Sequence, residues 1–226
     1  MGRKIPKIIN GEEYKQILVA LDKQKFARIT KAKVQRYKVA IILGTEAGLR
    51  ISEIVGLHKM KSKCCNADVI TKRDPEVKKQ KNHYCIKCEK QLINSEIKRD
   101  LKEWQIEPLS QKNINNRVLE IRNAKGGKDR ILGLPARLTD KHIKMLPLNI
   151  QRRALQKFTT DLGMKLFDKH ITFHTLRHSF ATQFHRSTGD LNTLATLMGH
   201  SSINTTAIYA HVSPDDAIKK QHEVFG

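Results

Sequence analysis

Apolar residues recur at helical spacing through both ends of this chain, but between Lys59 and Lys90 the pattern stops. That interruption decides what the sequence can fold into. The segment holds ten Lys or Arg against four Asp or Glu, and all four cysteines lie inside one 25-residue stretch of it. It reads as an insertion, bounded here at 61–92, in a chain whose other residues must supply the core. At ~150 residues per domain, 226 residues allow one to two domains, enough to bury a sizeable interior.

Before the insertion, Tyr14, Ile17, Leu18 and Leu21 fall at i, i+3, i+4 and i+7, which predicts an amphipathic helix opened by Asn10 or Gly11. Val34, Tyr37 and Ile41 repeat the pattern within Lys31 to Leu43, and the approach to Gly44 and Gly48 is apolar all round, as in a buried helix. A short helical turn follows over Ser52 to Val55. After the insertion, Arg117 to Asn123 and Asp129 to Leu134 read as two strands joined through Ala124-Lys125-Gly126-Gly127-Lys128, a β-hairpin. Helices are predicted over Ile150 to Leu162, Phe173 to Arg186, Leu191 to Met198, Ser202 to Ala210 and Pro214 to Glu223. The fold class expected is mainly α with a small antiparallel β-sheet, plus the inserted lobe.

Composition narrows the partner. Lys and Arg number 43 against 22 Asp and Glu, a formal charge of +21, so a polyanion is expected. Aromatics make up only 5% of the chain, which disfavours single strands held by stacked bases and favours duplex backbone. The longest apolar runs, Ile17 to Leu21 and Val39 to Leu43, are five residues, against the ~20 of a membrane-spanning helix. Met1 to Pro6 is basic without the apolar stretch of a secretory signal, so a cytoplasmic address is expected.

In the helix after Phe173, the residues Phe173, Leu176, Phe180 and Phe184 form an apolar stripe while His174, Arg177 and His178 project from an adjacent face. Further on, Gly199-His200 ends one helix and Tyr209 sits nine residues beyond His200 on the next. Together with Gly48-Leu49-Arg50-Ile51-Ser52-Glu53 and the Lys125 hairpin, these motifs stand in an order that resembles the tyrosine recombinases. The chain is similar to the catalytic domain of a phage- or archaeal-virus-type integrase over nearly all its length except the insertion.

The resemblance implies the DNA breaking-rejoining catalytic fold and a site-specific recombinase (integrase). Tyr209 would attack a phosphodiester to give a 3′-phosphotyrosine and a free 5′-hydroxyl, storing the bond energy for rejoining. No ATP and no catalytic metal is implied, so protein cations must neutralise the pentavalent transition state. Arg50 and Arg177 match the arginine pair, whose planar forks suit non-bridging phosphate oxygens. Lys125 matches the mobile lysine that protonates the leaving oxygen, with Lys128 as the second choice. His174 matches the position that helps take the tyrosine proton, His200 the one that holds the scissile phosphate, and Glu53 a carboxylate supporting Arg50. His178 reads as a hydrogen-bonded structural group and His211 as a helix C-terminal cation. The family implies duplex DNA as partner, a homodimer or homotetramer on it with a monomer free in solution, a nucleoid-associated location and an additional N-terminal DNA-clamping domain. Only about ten residues precede the first helix, so an isolated catalytic portion is expected. Whether Tyr209 serves its own site or a neighbour's stays open, and His211 to Gly226 is expected to pack on an adjacent protomer. The alternatives are relaxation of a single duplex, as by a type IB topoisomerase, and a non-enzymatic zinc-lobed DNA-binding regulator.

A cytosolic address argues against disulfides, so the cysteines raise metal binding. Cys64-Cys65 and Cys85-Ile86-Lys87-Cys88 are separated by 19 residues, near the ~15 to 20 of a four-cysteine zinc site. A structural Zn2+ in a zinc-ribbon-like lobe is expected, with His83 able to replace one thiolate. Adjacent cysteines in an extended segment would point to opposite sides, which works against the first pair. With few apolar residues the lobe is expected to need metal to fold, and its Lys59, Lys61, Lys63, Lys72, Arg73, Lys78, Lys79 and Lys81 to track DNA phosphates.

Overall fold

The computed structural model describes residues 8–23, 29–73, 81–122, 129–200 and 202–209. The chain divides into two compact units, Met1–Val55 with Pro108–Gly226, and Gly56–Glu107.

In the first unit, α1 (Gly11–Lys23) buries Ile17, Leu18, Ala20 and Leu21, the predicted stripe less the half-buried Tyr14. Asn10 closes its first turn by a reciprocal exchange: Glu13 N–H donates to Asn10 Oδ1, and Asn10 N–H to Glu13 Oε2. In α2 (Lys31–Glu46), capped by the Thr30 hydroxyl, every residue from Val39 to Thr45 is buried, so this helix runs through the middle of the core. Gly48 turns the chain at φ 61°, where a Cβ would lie 2.5 Å from Phe180 Cδ1, and α3 (Ile51–Val55) follows. Both the left-handed backbone and the close approach require glycine there.

Beyond the insertion, β6 (Ile114–Asn115), β7 (Val118–Ile121) and β8 (Arg130–Gly133) form an antiparallel sheet with Ile121 opposite Arg130. Then come α4 (Asp140–Ile143), α5 (Arg152–Phe167), α6 (Phe173–Thr188), α7 (Leu191–Met198) and α8 (Ile203–Thr206), the last continued by a 3-10 turn at Ala207–Tyr209. Thr172 caps α6 and Asp190 caps α7, the latter taking the N–H groups of Asn192 and Thr193 at 2.9 Å each. Phe173 and Leu176 join the main core, whereas Phe180 and Phe184 pack on a second cluster of Ala181, Leu194, Met198 and Tyr209. The apolar stripe of α6 thus serves both.

The second unit is richer in strands than expected. In it β1 (Leu57–Ser62) pairs antiparallel with β5 (Ile97–Ile106) from Leu57↔Ile106 to Ser62↔Ile97. A second sheet joins β2 (Val69–Arg73), β3 (Lys81–Cys85) and β4 (Gln91–Leu92). This unit exceeds the expected 61–92 because β1 and β5 pair outside the cysteines at both ends. The described residues therefore carry three small antiparallel sheets rather than one. The predicted Pro214–Glu223 helix, the hairpin tip with Lys125 and Lys128, and His211 lie outside the described residues.

Candidate active site

Arg50 precedes α3, and Glu53, one turn later, accepts its backbone N–H through Oε2 (2.8 Å) and its guanidinium Nη1 through Oε1 (2.9 Å). The Glu53 side chain is 1% exposed. A second arginine holds it from β8: Arg130, itself 2% exposed, donates from Nη1 to Oε1 (3.0 Å) and from Nη2 to Oε2 (2.7 Å), and from Nε to the Leu197 carbonyl (2.9 Å). Burial pushes the Glu53 carboxyl up. The hydrogen bonds and charge of Arg130, with the backbone and guanidinium of Arg50, outweigh that and hold it below the usual carboxylate range.

Arg177, buried on α6, donates from Nη1 to the Gly48 carbonyl and from Nη2 to the Met198 carbonyl. Desolvation, and then the neighbouring Arg50, weaken its hold on its proton. His200 follows the α7 cap at Gly199 (φ 60°), and its Nδ1 lies 2.9 Å from Thr206 Oγ1. Burial, followed by the positive fields of Arg177, Arg50 and Arg130, pushes its pKa down to about 4. Three guanidiniums and an imidazole therefore lie within electrostatic reach of one another, with the Glu53 carboxylate bonded to Arg50 and Arg130. Such a cluster of cations favours an anion.

Tyr209 is buried in the second cluster, and its hydroxyl lies 2.5 Å from His178 Nδ1. Desolvation raises the phenol, with Arg177 opposing, and desolvation lowers His178, helped by His174 and Arg177. The resting pair is accordingly neutral. His174 is exposed on the same helix face one turn earlier, its ring centroid 6.4 Å from that of His178. Of the expected residues, Arg50, Glu53, Arg177 and His200 gather in this cluster, and Tyr209 meets His178 within the electrostatic reach of Arg177.

In the other unit, Sγ of Cys64, Cys65, Cys85 and Cys88 all lie within 4.8 Å of one another. Four thiolates around Zn2+ at ~2.3 Å stand about 3.8 Å apart, so the cluster fits a tetrahedral thiolate site. Residues 63–65 form a turn rather than a strand, which is why the adjacent pair does not diverge. The Ser62 hydroxyl, 3.2 Å from Cys85 Sγ, together with the N–H groups of Cys88 and Lys87, pulls the Cys85 thiol down to about 6. His83, the alternative ligand, instead meets Thr71 Oγ1 through Nδ1 at 2.9 Å. Lys59 pairs with Glu103 (2.8 Å) and Lys61 with Asp68 (2.9 Å), so part of the expected basic track is engaged within the lobe.

Residues 7–216 match the model of the phage integrase family. The chain belongs to that family. It is similar to the tyrosine recombinase XerC of Haemophilus influenzae, 27% identical over 215 residues that make up 94% of this chain and 59% of the relative. It also resembles XerD of Staphylococcus aureus, 40% identical over 77 residues, 34% of this chain and 26% of the relative. The chain thus spans less than two thirds of the curated relatives it matches. In fold it is similar to the XerH site-specific recombinase bound to difH substrate (TM-score 0.58, 18% identity, 99% of this chain and 56% of that one). XerA recombinase is similar too (TM-score 0.55, 17% identity, 100% and 67%). No helix among the described residues is long and apolar enough to cross a membrane.

One residue of this candidate site, Arg130, was not singled out by the sequence. Arg130 shares strand parity with buried Leu132 while Ile131 is 66% exposed, so alternation along β8 was the available signal, with a cation on the inward face. His178, expected as a hydrogen-bonded structural group, is hydrogen-bonded to Tyr209, and nothing in the sequence says which of two histidines a turn apart on α6 the 3-10 turn will meet.

Proposed function

We propose that this chain is the catalytic portion of a site-specific DNA recombinase that cleaves and rejoins duplex DNA through a 3′-phosphotyrosine at Tyr209. The observation that carries the reading is the Tyr209 hydroxyl, 2.5 Å from His178 Nδ1 and within the field of the Arg177 guanidinium. His178 accepts the phenolic proton, and the phenolate oxygen forms a bond to phosphorus. The bond from phosphorus to the 5′-oxygen breaks, its electron pair staying on that oxygen, which takes a proton from Lys125 on the family's pattern. His174 supports the proton transfer from the edge of the site. Two of the five N–H donors of Arg177 hold backbone carbonyls, which orients the fork and leaves donors for a non-bridging oxygen. Arg50, whose side chain is 19% exposed, faces the phosphate more openly, and His200 hydrogen-bonds it. Religation reverses these steps.

The partner is duplex DNA, engaged by a homodimer or homotetramer, in the nucleoid of a cytoplasm; an archaeal virus or plasmid is a source in keeping with the integrase pattern. The domain reading is one catalytic domain over 1–226 interrupted by a lobe that holds structural Zn2+ on Cys64, Cys65, Cys85 and Cys88 in a zinc-ribbon-like arrangement. Incubation with a duplex nicked beside the cleavage point, so that the released fragment diffuses away, tests the reaction. A DNA-linked peptide containing Tyr209 is expected, and none with Tyr209→Phe. Absence of the adduct from the unsubstituted chain, or its persistence in the variant, overturns the reading.

A further inference from the structure

The two cysteine turns of the second unit follow one pattern, position by position. In each, a strand ends at the first residue, three turn residues follow, and the fifth residue is left-handed: Ser62, then 63–65, then Asn66 (φ 52°), and Cys85, then 86–88, then Glu89 (φ 56°). In each, the N–H of the first residue donates to the carbonyl of the sixth, Ser62 to Ala67 at 2.8 Å and Cys85 to Lys90 at 3.0 Å. The first residues are both fully buried, and they touch, Ser62 Oγ to Cys85 Sγ at 3.2 Å. In this register Ser62 matches Cys85, Cys65 matches Cys88, and Cys64 matches Lys87.

The second turn offers thiols at its first and fourth positions. The first turn offers them at its third and fourth, with a serine at the first. From this offset, and resting on the metal-binding reading above, we infer that the lobe is a two-knuckle thiolate site for a divalent, sulfur-preferring cation in which Ser62 occupies a ligand position and Cys64 supplies the displaced fourth thiolate. The Ser62 hydroxyl is not a ligand itself. It donates to Cys85 and accepts from the Ala67 N–H at 3.3 Å, so it orients one ligand as an outer-shell partner. A serine differs from cysteine by a single atom, and its Oγ already lies 3.2 Å from one of the four thiols. A thiol at position 62 should therefore reach the metal without rearrangement of the turn.

The test is cobalt loading of the full chain, because the visible absorption of tetrahedral Co2+ distinguishes four thiolates from three. The unsubstituted chain is expected to take one Co2+ with a four-thiolate spectrum. Cys64→Ser should give a three-thiolate spectrum and lower affinity by more than about tenfold, since a ligand counts for more than an outer-shell partner. Adding Ser62→Cys to Cys64→Ser should restore the four-thiolate spectrum and most of the affinity. If the double variant stays three-thiolate while the parent binds with four, position 62 is not a ligand position and the inference fails. A parent that takes no metal overturns the metal-binding reading itself, and the inference with it. Should the double variant fail to fold, Ser62→Cys alone decides: alkylation of the metal-loaded chain should then mark Cys64, which the parent protects. Continued protection of Cys64 in that variant overturns the inference.

Discussion

Replacing Arg130 by Met tests whether the site is held by its buried ion pair. The substitution removes two charge-assisted hydrogen bonds to Glu53, at 2.7 and 3.0 Å, and one to the Leu197 carbonyl at 2.9 Å, while the aliphatic stem keeps much of its volume. Both partners are almost wholly inaccessible, at 2% and 1%, so water cannot take over the lost contacts. Removing one partner of such a pair costs ~3–5 kcal/mol, and because Arg50 still neutralises part of Glu53 the low end, about 3 kcal/mol, applies. For a domain of this size that is a fall in melting temperature of roughly 6–12 °C. The loss should depend on pH. Glu53 titrates below its ordinary value when folded, so its contribution is full above the usual carboxylate pKa and disappears as pH falls through the depressed one. The variant's acid limb should be correspondingly flatter. Helical circular dichroism is the right probe, because the chain's single tryptophan, Trp104, lies on β5 in the other unit and serves as an internal control. Glu53→Gln combined with Arg130→Met should recover about 1–3 kcal/mol relative to the sum of the single variants. A midpoint for Arg130→Met within about 0.5 kcal/mol of the parent would refute the argument.

Gly48→Ala forces a Cβ to 2.5 Å from Phe180 Cδ1 at φ 61°, and should cost ~1–3 kcal/mol or more in urea unfolding; an unchanged midpoint would contradict the close approach. His178→Ala should slow formation of the covalent DNA adduct by ~10²-fold or more, with a smaller effect from His174→Ala, and the reverse order would move the proton acceptor to His174. Since burial lowers His178, its base form persists below the ordinary histidine pKa of ~6.5, and adduct formation should weaken only at more acidic pH. On the proposed metal role, a strong chelator should shift the Trp104 fluorescence transition while the helical signal stays, and coincident loss of both would contradict that role.

Most of the helical frame was legible because each helix buries a stripe at regular spacing, as α1 and α6 do. The arginine pair, His200 and Tyr209 were legible as an ordered set of motifs. What the sequence did not disclose follows from charge and exposure. Strand β5 carries Lys98, Arg99 and Asp100, with Leu101 74% exposed and Trp104 38% exposed, so no apolar alternation announces it. Arg130 hides because a cation at an inward strand position looks like a break in the pattern until Glu53 is known to lie opposite. The adjacent cysteines converge because they sit in a turn, a property of three backbone residues rather than of the Cys-Cys pair.

Arg130 and Arg177 enter from different elements, β8 and α6, yet do the same mechanical work. Arg177 joins the Gly48 carbonyl, two residues before Arg50, to the Met198 carbonyl, two residues before His200. Arg130 joins Glu53, which grips Arg50, to the Leu197 carbonyl, three residues before His200. Each guanidinium therefore has one side on the corner between α2 and α3 and the other on the end of α7. The separation of Arg50 from His200 is set twice over by two rigid, planar forks. Lysine offers no planar fork to span both sides, so Arg130→Lys should retain the charge near Glu53 while loosening that separation. The loss would then appear in adduct formation more than in stability, whereas a purely electrostatic role for Arg130 predicts that lysine restores both.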